Sequence, residues 1–292
     1  MFSGFFYVFI LYMNTIILNA GNKVPNTTNR YLYRFPSAVK FSKEDTIALQ
    51  SISIYNSFFN IEQSRNNNRF NITWNANTSV THNFLIPDSF MDVEGINAYI
   101  QQQCLLNNLY MLDADGKNWF FIELQIHPTT YGVQLRIYPL PTEADANEFG
   151  LVIPTGANWT LPTTKKTPQF TFDQEAFGDL IGFKVGTYPV QVLTTDTQIL
   201  NTHTPQISPV NSILLGINLI NSPFSIPSSL FFALPVNAKF GGMIINQNGN
   251  PIFNQICAGV YSNIVIELYD QHFNPLRMND DEITLLLNIV MK

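Results

Sequence analysis

Alternating apolar and polar residues near the end of the chain predict two β-strands. Within Tyr261–Val290, apolar residues stand at every second position in two runs, which is the period of a strand with one buried face: Ile264, Ile266 and Leu268, and then Ile283, Leu285, Leu287 and Ile289. The polar connection between them contains Asn-Pro and an Asn-Asp-Asp run, so we predict an antiparallel pair. Such a ribbon needs partners, and the run Thr46–Tyr55 is the best candidate to lie beside the last strand.

The run Thr46–Tyr55 also changes phase near its middle. Ile47 and Leu49 share one face, whereas Ile52 and Ile54 share the other. A β-bulge near Gln50, or burial on both faces, explains such a slip. A fold in which strands from both ends of the chain pair is a sandwich or jelly roll.

Two hairpins are predicted in the middle of the chain. The first joins Arg69–Trp74 to Thr81–Ile86, and the second joins Trp119–Ile126 to Gly132–Tyr138. A helix separates them, with Asp88-Ser89 or Asp92 as its cap and an end near residue 107. Its apolar residues recur at spacings of three and four: Val93, Ile96, Ile100 and Cys104. Strands around a helix predict a compact α+β unit.

The remainder has weaker patterns. We interpret Leu140–Pro168 as a loop and Phe177–Phe183 as a helical turn that stops at Gly182. From residue 191 onward, prolines separate short predicted strands: Val192–Asn201, Ile213–Asn221, Leu230–Leu234, Gly241–Asn246, Ile252–Gly259 and the closing pair. With Thr46–Tyr55 there are about eight strands, the number that a jelly roll needs.

These elements predict a mainly β protein, a single jelly-roll barrel or sandwich with an inserted α+β unit. We expect the jelly roll to use residues 31–62 and 190–292, and the insertion to be 63–189. Residues 1–30 are expected to form an apolar and extended N-terminal arm. Within that arm, Phe2–Ala20 carries no charge and has three interpretations: an upstream extension or disordered arm with Met13 as the effective start, a targeting segment, or an ordered packing arm.

Composition favours contacts with other proteins over nucleic-acid binding. Only 12% of the residues are charged, whereas about a quarter is usual, and the chain contains 24 Phe and 12 Tyr. A neutral, aromatic surface suits permanent protein contacts, although an A·T-rich genome produces the same bias. The net charge of −6 argues against a specific grip on nucleic acid, which needs clustered Lys and Arg.

The sequence contains no pattern of a catalytic or metal site. The four histidines, His82, His127, His203 and His272, are scattered singly, so we predict no metal, no cofactor and no enzyme activity. The acidic runs Asp280–Glu282 and Asp113–Asp115 are interpreted as turns.

The two cysteines and the sequons bear on the compartment. Cys104 and Cys257 are too few for a disulfide framework and are interpreted as buried thiols in a reducing compartment. Four sequons, at Asn26, Asn71, Asn77 and Asn158, matter only in a secreted protein. A secreted or surface carbohydrate-binding β-sandwich is therefore the alternative function. On that interpretation, sugar rings stack on three indoles: Trp74, Trp119 and Trp159.

Several motifs, in order along the chain, resemble those of one protein family. They are Tyr55–Ile61, Asn66–Phe70, Ile86–Ile100, Leu180–Phe183, Gly186–Tyr188 and Ile266–Gln271. Together they resemble the penton, or minor capsid, proteins of virophages and Polinton-like viruses, over residues 31 to 290. Two features depart from that family: the apolar segment before Met13 and the pair Phe58-Phe59.

The resemblance implies a jelly roll with an inserted domain and no catalytic residues. It further implies that five copies close each vertex of an icosahedral virion, among trimers of a double-jelly-roll major capsid protein. On that basis the partners are the chain itself, as a homopentamer, and those trimers. The location is the virion, assembled in the host cytoplasm, and the apolar N-terminus leaves a membrane contact open.

Overall fold

The computed structural model describes residues 12–130, 132–208 and 210–292. They divide into two compact units, unit 1 with residues up to 58 and from 210 to 292, and unit 2 with residues 59–209. The strands, in chain order, are β1 Tyr12–Asn19, β2 Arg30–Phe41, β3 Thr46–Tyr55, β4 Arg69–Asn75, β5 Ser79–Leu85, β6 Met111–Leu112, β7 Asn118–Trp119, β8 Ile122–Ile126, β9 Val133–Ile137, β10 Gln169–Phe172, β11 Gly186–Tyr188, β12 Thr197–Leu200, β13 Ser212–Ile217, β14 Leu230–Pro235, β15 Met243–Gln247, β16 Asn254–Gln255, β17 Gly259–Tyr269 and β18 Ile283–Met291. The α-helices are α1 Val93–Leu106, α2 Glu143–Phe149 and α3 Glu175–Ile181.

Unit 1 is a jelly roll of two antiparallel sheets. One sheet has the order β1-β18-β3-β15, with β16 also paired to β3, and the other has the order β14-β13-β17-β2. The chain crosses repeatedly from one sheet to the other, as the strands of a jelly roll do. It leaves after β3 to build unit 2 and returns at β13. The predicted fold, a jelly roll with an insertion, is therefore confirmed.

The pairing predicted between β3 and the last strand is confirmed. In β18, Leu286 lies opposite Ser51, but the next residue, Leu287, lies opposite Leu49. Gln50 is thus the extra residue of a β-bulge, which explains the phase change seen in the sequence. The core between the sheets consists of the apolar residues that face inward on either side of this bulge, such as Ile47 and Ile52.

The predicted pairing of the last two strands with each other is wrong. β17 pairs with β13 and β2, whereas β18 pairs with β1 and β3 in the other sheet. Period two identifies a strand but not its neighbour. The connection, residues 270–282, is long enough to cross from one sheet to the other.

For the part of residues 1–30 that the structure describes, the expected extended arm is wrong, and of the three interpretations of Phe2–Ala20 the ordered packing arm fits residues 12–19. β1 pairs with β18 over its whole length, and Ile16 and Leu18 are buried in the core. Residues 1–11 lie outside the described residues. β2 was also missed as a strand, because of its inward residues only Tyr31 and Phe41 are fully buried and Pro36 interrupts its pattern.

The described residues of unit 2 form two larger antiparallel sheets and three α-helices. One sheet has the order β11-β10-β4-β5 and the other β12-β9-β8. Both predicted hairpins are confirmed as the pairs β4–β5 and β8–β9. Stacked phenylalanine rings fill the core, with ring centroids 5.0 Å apart for Phe70 and Phe170 and 5.2 Å apart for Phe172 and Phe183.

The helices of unit 2 show why capping signals matter. Asp92 caps α1 by accepting a hydrogen bond from the Gly95 N–H, and α3 ends at Gly182 with a left-handed φ of 86°, both as predicted. The prediction of a loop throughout Leu140–Pro168 is wrong, because α2 forms there. Thr142 and Asp145 make a reciprocal capping box that starts it.

The observed division differs from the expected insertion, 63–189, at both edges, and the larger difference is at its end. We expected a jelly-roll strand in Val192–Asn201, but β12 pairs with β9 and so belongs to unit 2. The strands of the jelly roll instead include β1 and β2. The similar strand number in the prediction therefore came from a different set of strands.

Candidate assembly surfaces

The sheet of β1, β18, β3, β15 and β16 carries no Asp, Glu, Lys or Arg. The opposite sheet differs, because β2 contains Arg30, Arg34 and Lys40 and β17 contains Glu267. The Arg30 guanidinium pairs with the Glu267 carboxylate across these two strands. Charge is thus distributed on one sheet of unit 1 and absent from the other, which is the composition of a surface that another protein covers.

The outward side of the uncharged sheet, here called the neutral face, combines apolar and small polar side chains. Apolar residues with large exposed fractions alternate along the strands with buried core residues: Met13 at 62%, Ile17 at 56%, Met243 at 42% and Ile245 at 52%. Between them lie Ser51, Ser53 and Thr284. The neutral face therefore offers apolar area without a desolvation cost for charge.

A chain of hydrogen bonds crosses the neutral face. The Thr15 hydroxyl donates to Asn288 Oδ1 (3.1 Å), Asn288 Nδ2 donates to Gln50 Oε1 (3.0 Å), and Gln50 Nε2 donates to the Asn248 carbonyl (3.0 Å). The bulge residue Gln50 is the central member. Neutral amides thereby satisfy one another across three strands and an adjoining loop, so the face stays polar enough to hydrate while carrying no charge.

β1 is an edge strand without the usual protection against pairing. It pairs with β18 on one side with no register shift, and in the described chain no strand pairs with its other side. It contains no charge and no proline. The edge strand β2 has both, and its register shifts opposite Tyr261–Asn263. An uncharged, regular edge is a template for a strand of another chain.

Four exposed apolar residues on two loops of unit 1 are here called the apolar tip. They lie on the loops after β13 and after β15, with exposed fractions of 97% for Phe224, 89% for Ile226, 76% for Ile252 and 40% for Phe253. The chain segments that adjoin these residues are neighbours, because residues 220–223 and 254–258 line one open cavity of about 530 Å³. The apolar tip is therefore a candidate contact site.

The acidic run Asp280–Glu282 forms a turn, as predicted, and contacts with the rest of unit 1 hold it in place. Lys23 forms an ion pair with Asp281, the Ser57 hydroxyl accepts the Asp280 N–H (2.9 Å), and Asp280 Oδ1 accepts the Glu282 N–H (2.9 Å). Burial, together with the smaller effect of the charges of Asp281 and Asp280, raises the pKa of the Tyr31 hydroxyl to about 12. The acidic side chains thus fasten the β17–β18 connection to the body of unit 1.

The structure keeps the histidines apart. His127 contacts threonine hydroxyls in its own turn, His203 Nε2 lies 3.0 Å from Asp179 Oδ1, and His272 lies in the connection before β18. His82 lines a cavity of unit 2. Among the described residues, no group of three or more His, Cys, Asp or Glu could hold a metal ion.

The other acidic run, Asp113–Asp115, and the two cysteines do not form a shared site. Asp113 Oδ1 accepts the N–H groups of Asp115 and Lys117, which makes the predicted turn. Cys104 is buried as predicted, and burial raises the pKa of its thiol to about 12, whereas Cys257 is only half-buried.

The three tryptophans do not form one exposed face. The rings of Trp74 and Trp159 lie edge to face, 5.3 Å apart, whereas Trp119 contacts Tyr138 in another part of unit 2. The sugar-binding face that we considered for all three indoles is therefore wrong. The pairing of the first two indoles had no signal in the sequence, because their segments lie far apart in the chain.

Two virophage proteins are among the solved structures that are similar to this chain. Over 97% of this chain, the structure is similar to the selenomethionine-labelled mavirus penton protein, with 10% identity, a TM-score of 0.43 and 98% of that chain covered. It is also similar to a chain of the Sputnik virophage structure, with 11% identity, a TM-score of 0.40 and the same shares covered. No protein-family model and no curated protein match the sequence. Among the described residues, no helix is long and apolar enough to cross a membrane.

Proposed function

We propose that this chain is a structural capsid protein that forms the pentameric vertex of an icosahedral virion and has no enzymatic role. Unit 1 is the shell domain in this proposal, and unit 2 is an inserted domain. The virion is its location, with assembly in the host cytoplasm. The order of sequence motifs that resembles penton proteins suggests the class, and the charge-free sheet of a jelly roll is the observation that carries the proposal.

The neutral face and the free edge of β1 suit contact with a second copy of the chain. A ring of five needs two different patches on each copy that meet head to tail. The free edge of β1 is one patch, because its unpaired backbone groups can pair with a neighbouring copy without burying charge. The neutral face is the other patch. The apolar tip is then available for the second partner, the trimers of the major capsid protein.

Light scattering after size exclusion, applied to the full chain, tests the self-association. We expect pentamers, or monomers that enter particles when a major capsid protein of the double-jelly-roll class is co-produced. Ile17→Glu places a charge on the outward side of β1 and should abolish both the pentamers and the entry of the chain into particles. Val260→Glu, at a site that is 68% exposed on the other sheet, is the matched control and should assemble as the wild type does.

The partner of the apolar tip is tested separately. Phe224→Ser should leave pentamers intact but prevent their entry into particles. Phe149→Ser, at a site that is 63% exposed in unit 2, is its control. A stable isolated dimer, or a chain that neither forms pentamers nor enters particles, contradicts the proposal.

A further inference from the structure

The uncharged sheet of unit 1 has two unprotected edges. Its order is β1-β18-β3-β15, and in the described chain no strand pairs with the outer side of β1 or with the outer side of β15. Neither strand contains a charged residue or a proline, and neither pairing has a register shift. The unpaired backbone N–H and C=O groups of such an edge can pair with a further strand. The uncharged sheet can therefore be extended on both sides.

The other sheet of unit 1 has protected edges. β2 carries Arg34, Pro36 and Lys40, and its pairing with β17 shifts register. The opposite edge strand, β14, ends in Pro235, and its pairing with β13 also shifts register. Charges, prolines and bulges on an edge strand hinder the addition of another strand. Of the two sheets in the described part of unit 1, the uncharged one is thus the sheet that is open to extension.

The two open edges run in opposite directions. β1 is antiparallel to β18, β18 to β3, and β3 to β15, so β1 and β3 run one way whereas β18 and β15 run the other. A rotation about an axis along the strands preserves the direction of every strand. Such a rotation places β15 of one copy antiparallel to β1 of the next. The antiparallel alternation of the sheet then continues from one copy to the next without a break.

The side chains of the two edges also match. Ile16 on β1 and Ile244 on β15 are buried in the core, whereas the outward residues Ile17 and Ile245 are 56% and 52% exposed. Residues directly opposite each other on paired strands point to the same face, and a shift by one residue reverses the faces. With Ile16 opposite Ile244, the outward Thr15 lies opposite Ile245. Core positions then meet core positions, and outward positions meet outward positions.

One further register keeps the faces matched. Buried Leu18 can lie opposite Ile244 in place of Ile16, which is a shift of two residues. In this second register Ile17 lies opposite Ile245. The two registers differ in which outward residue of β1 meets Ile245, and this difference is measurable.

We propose that β1 of one copy pairs with β15 of the next copy, so that the uncharged sheet continues around the ring of five. This contact rests on the proposed function and narrows the second patch of each copy from the neutral face to the β15 edge of that face. Each copy supplies one β1 edge and one β15 edge, so a closed ring leaves neither edge unpaired. Pairing of β1 with β1 across a two-fold axis would instead leave both β15 edges open, and it would stop at a dimer.

Cross-linking of the full chain between introduced cysteines tests the contact. Cys257→Ser first removes the half-buried thiol, and the buried Cys104 is kept. Thr15→Cys with Ile245→Cys reports the first register, and Ile17→Cys with Ile245→Cys reports the second. Cβ atoms directly opposite each other on antiparallel strands lie about 4.5–5.5 Å apart, so oxidation or a short bismaleimide can link them. We expect one double variant, treated as pentamers or as particles, to give a ladder of up to five linked chains on a denaturing gel.

The matched control is Val260→Cys with Ile245→Cys, which has the same number of thiols but carries one of them on the other sheet, at a site that is 68% exposed. It should give no ladder. Because all the substituted positions are exposed, the variants keep the core of unit 1 intact. The single variants Thr15→Cys and Ile17→Cys test the pairing of β1 with β1, and they should give no linked dimers.

The possible failures are distinguishable. Pentamers or particles in which neither double variant links neighbouring chains overturn the pairing of β1 with β15 and leave the proposed pentamer standing. Linked dimers from a single β1 variant, or a ladder in the control as strong as in the double variants, also overturn it. A chain that forms no pentamers and enters no particles contradicts the proposed function, and the contact between copies with it.

Discussion

Ile54 of β3 and Ile283 of β18 lie directly opposite each other, and their exposed fractions are 1% and 3%. The two residues come from opposite sides of the insertion. Their contact therefore joins the two separate parts of the chain that make up unit 1. Cross-strand apolar pairs of this kind are the unit from which a sheet gains stability.

We expect Ile54→Ala to lower the free energy of unfolding of unit 1 by about 2–4 kcal/mol, because it leaves a cavity in the core. Ile245→Ala makes the same change on the neighbouring strand β15 at a site that is 52% exposed, and it should cost less than about 0.5 kcal/mol. Differential scanning calorimetry measures the shift of the unfolding transition in each variant. Equal shifts for the two variants would contradict the burial pattern.

The thiols should differ in reactivity. Cys104 is buried and its raised pKa of about 12 keeps it protonated, so a disulfide reagent such as DTNB at pH 8 should leave it unmodified in the folded protein. Cys257 is half-buried and should react. The expected titration is one thiol in native buffer and two in denaturant. Cys257→Ser should remove the native signal, and a native signal that persists in this variant would show that Cys104 is accessible.

The stability of unit 2 should depend on pH through His82. Burial lowers the pKa of this imidazole in the folded state, so below about 6.5 the unfolded chain binds the proton more readily. Stability is then complete above the unfolded pKa and is lost as the pH falls through the folded pKa. His82→Gln should flatten the dependence between pH 7 and pH 5. Tryptophan fluorescence during thermal unfolding reports on unit 2, which contains all three tryptophans, and an unchanged slope in the variant would count against this role.

Two glycines with a left-handed backbone conformation allow the cost of backbone strain to be measured separately from the cost of a steric overlap. At Gly156, with φ 89°, a Cβ meets nothing within 4 Å, so Gly156→Ala should cost only the backbone strain, about 1 kcal/mol. At Gly182, with φ 86°, a Cβ overlaps the His203 carbonyl oxygen. Gly182→Ala should therefore cost at least about 2 kcal/mol in chemical denaturation. Equal costs would mean that the segment around His203 moves away from the added Cβ without a free-energy cost.

Local signals in the sequence were sufficient for the elements with strong periodicity. β3 has the predicted bounds, and its phase slip correctly located the bulge at Gln50. α1 combined a capping Asp92 with a regular apolar spacing. These features depend on residues within a few positions of each other, which is why the sequence reveals them.

Features that depend on distant partners were not predictable. β1 lacks a marked alternation, and it is a strand because β18 has an open edge beside it. β12 joined unit 2 because β9 pairs with it, a choice that its own residues do not record. The cavity of unit 2 that His82 lines has the same origin, since four separate segments converge to make it.

The position of unit 2 within the chain sets an order for folding during synthesis. Residues 59–209 form one uninterrupted stretch, so unit 2 can complete its core while the ribosome is still adding residues 210–292. β1, β2 and β3 emerge earlier but must wait for β15–β18, since every strand that pairs with these three in a sheet comes later in the chain. They thus remain unpaired for the time needed to translate the whole insertion, and nascent chains with β1 and β3 exposed are the stage at which aggregation is to be expected.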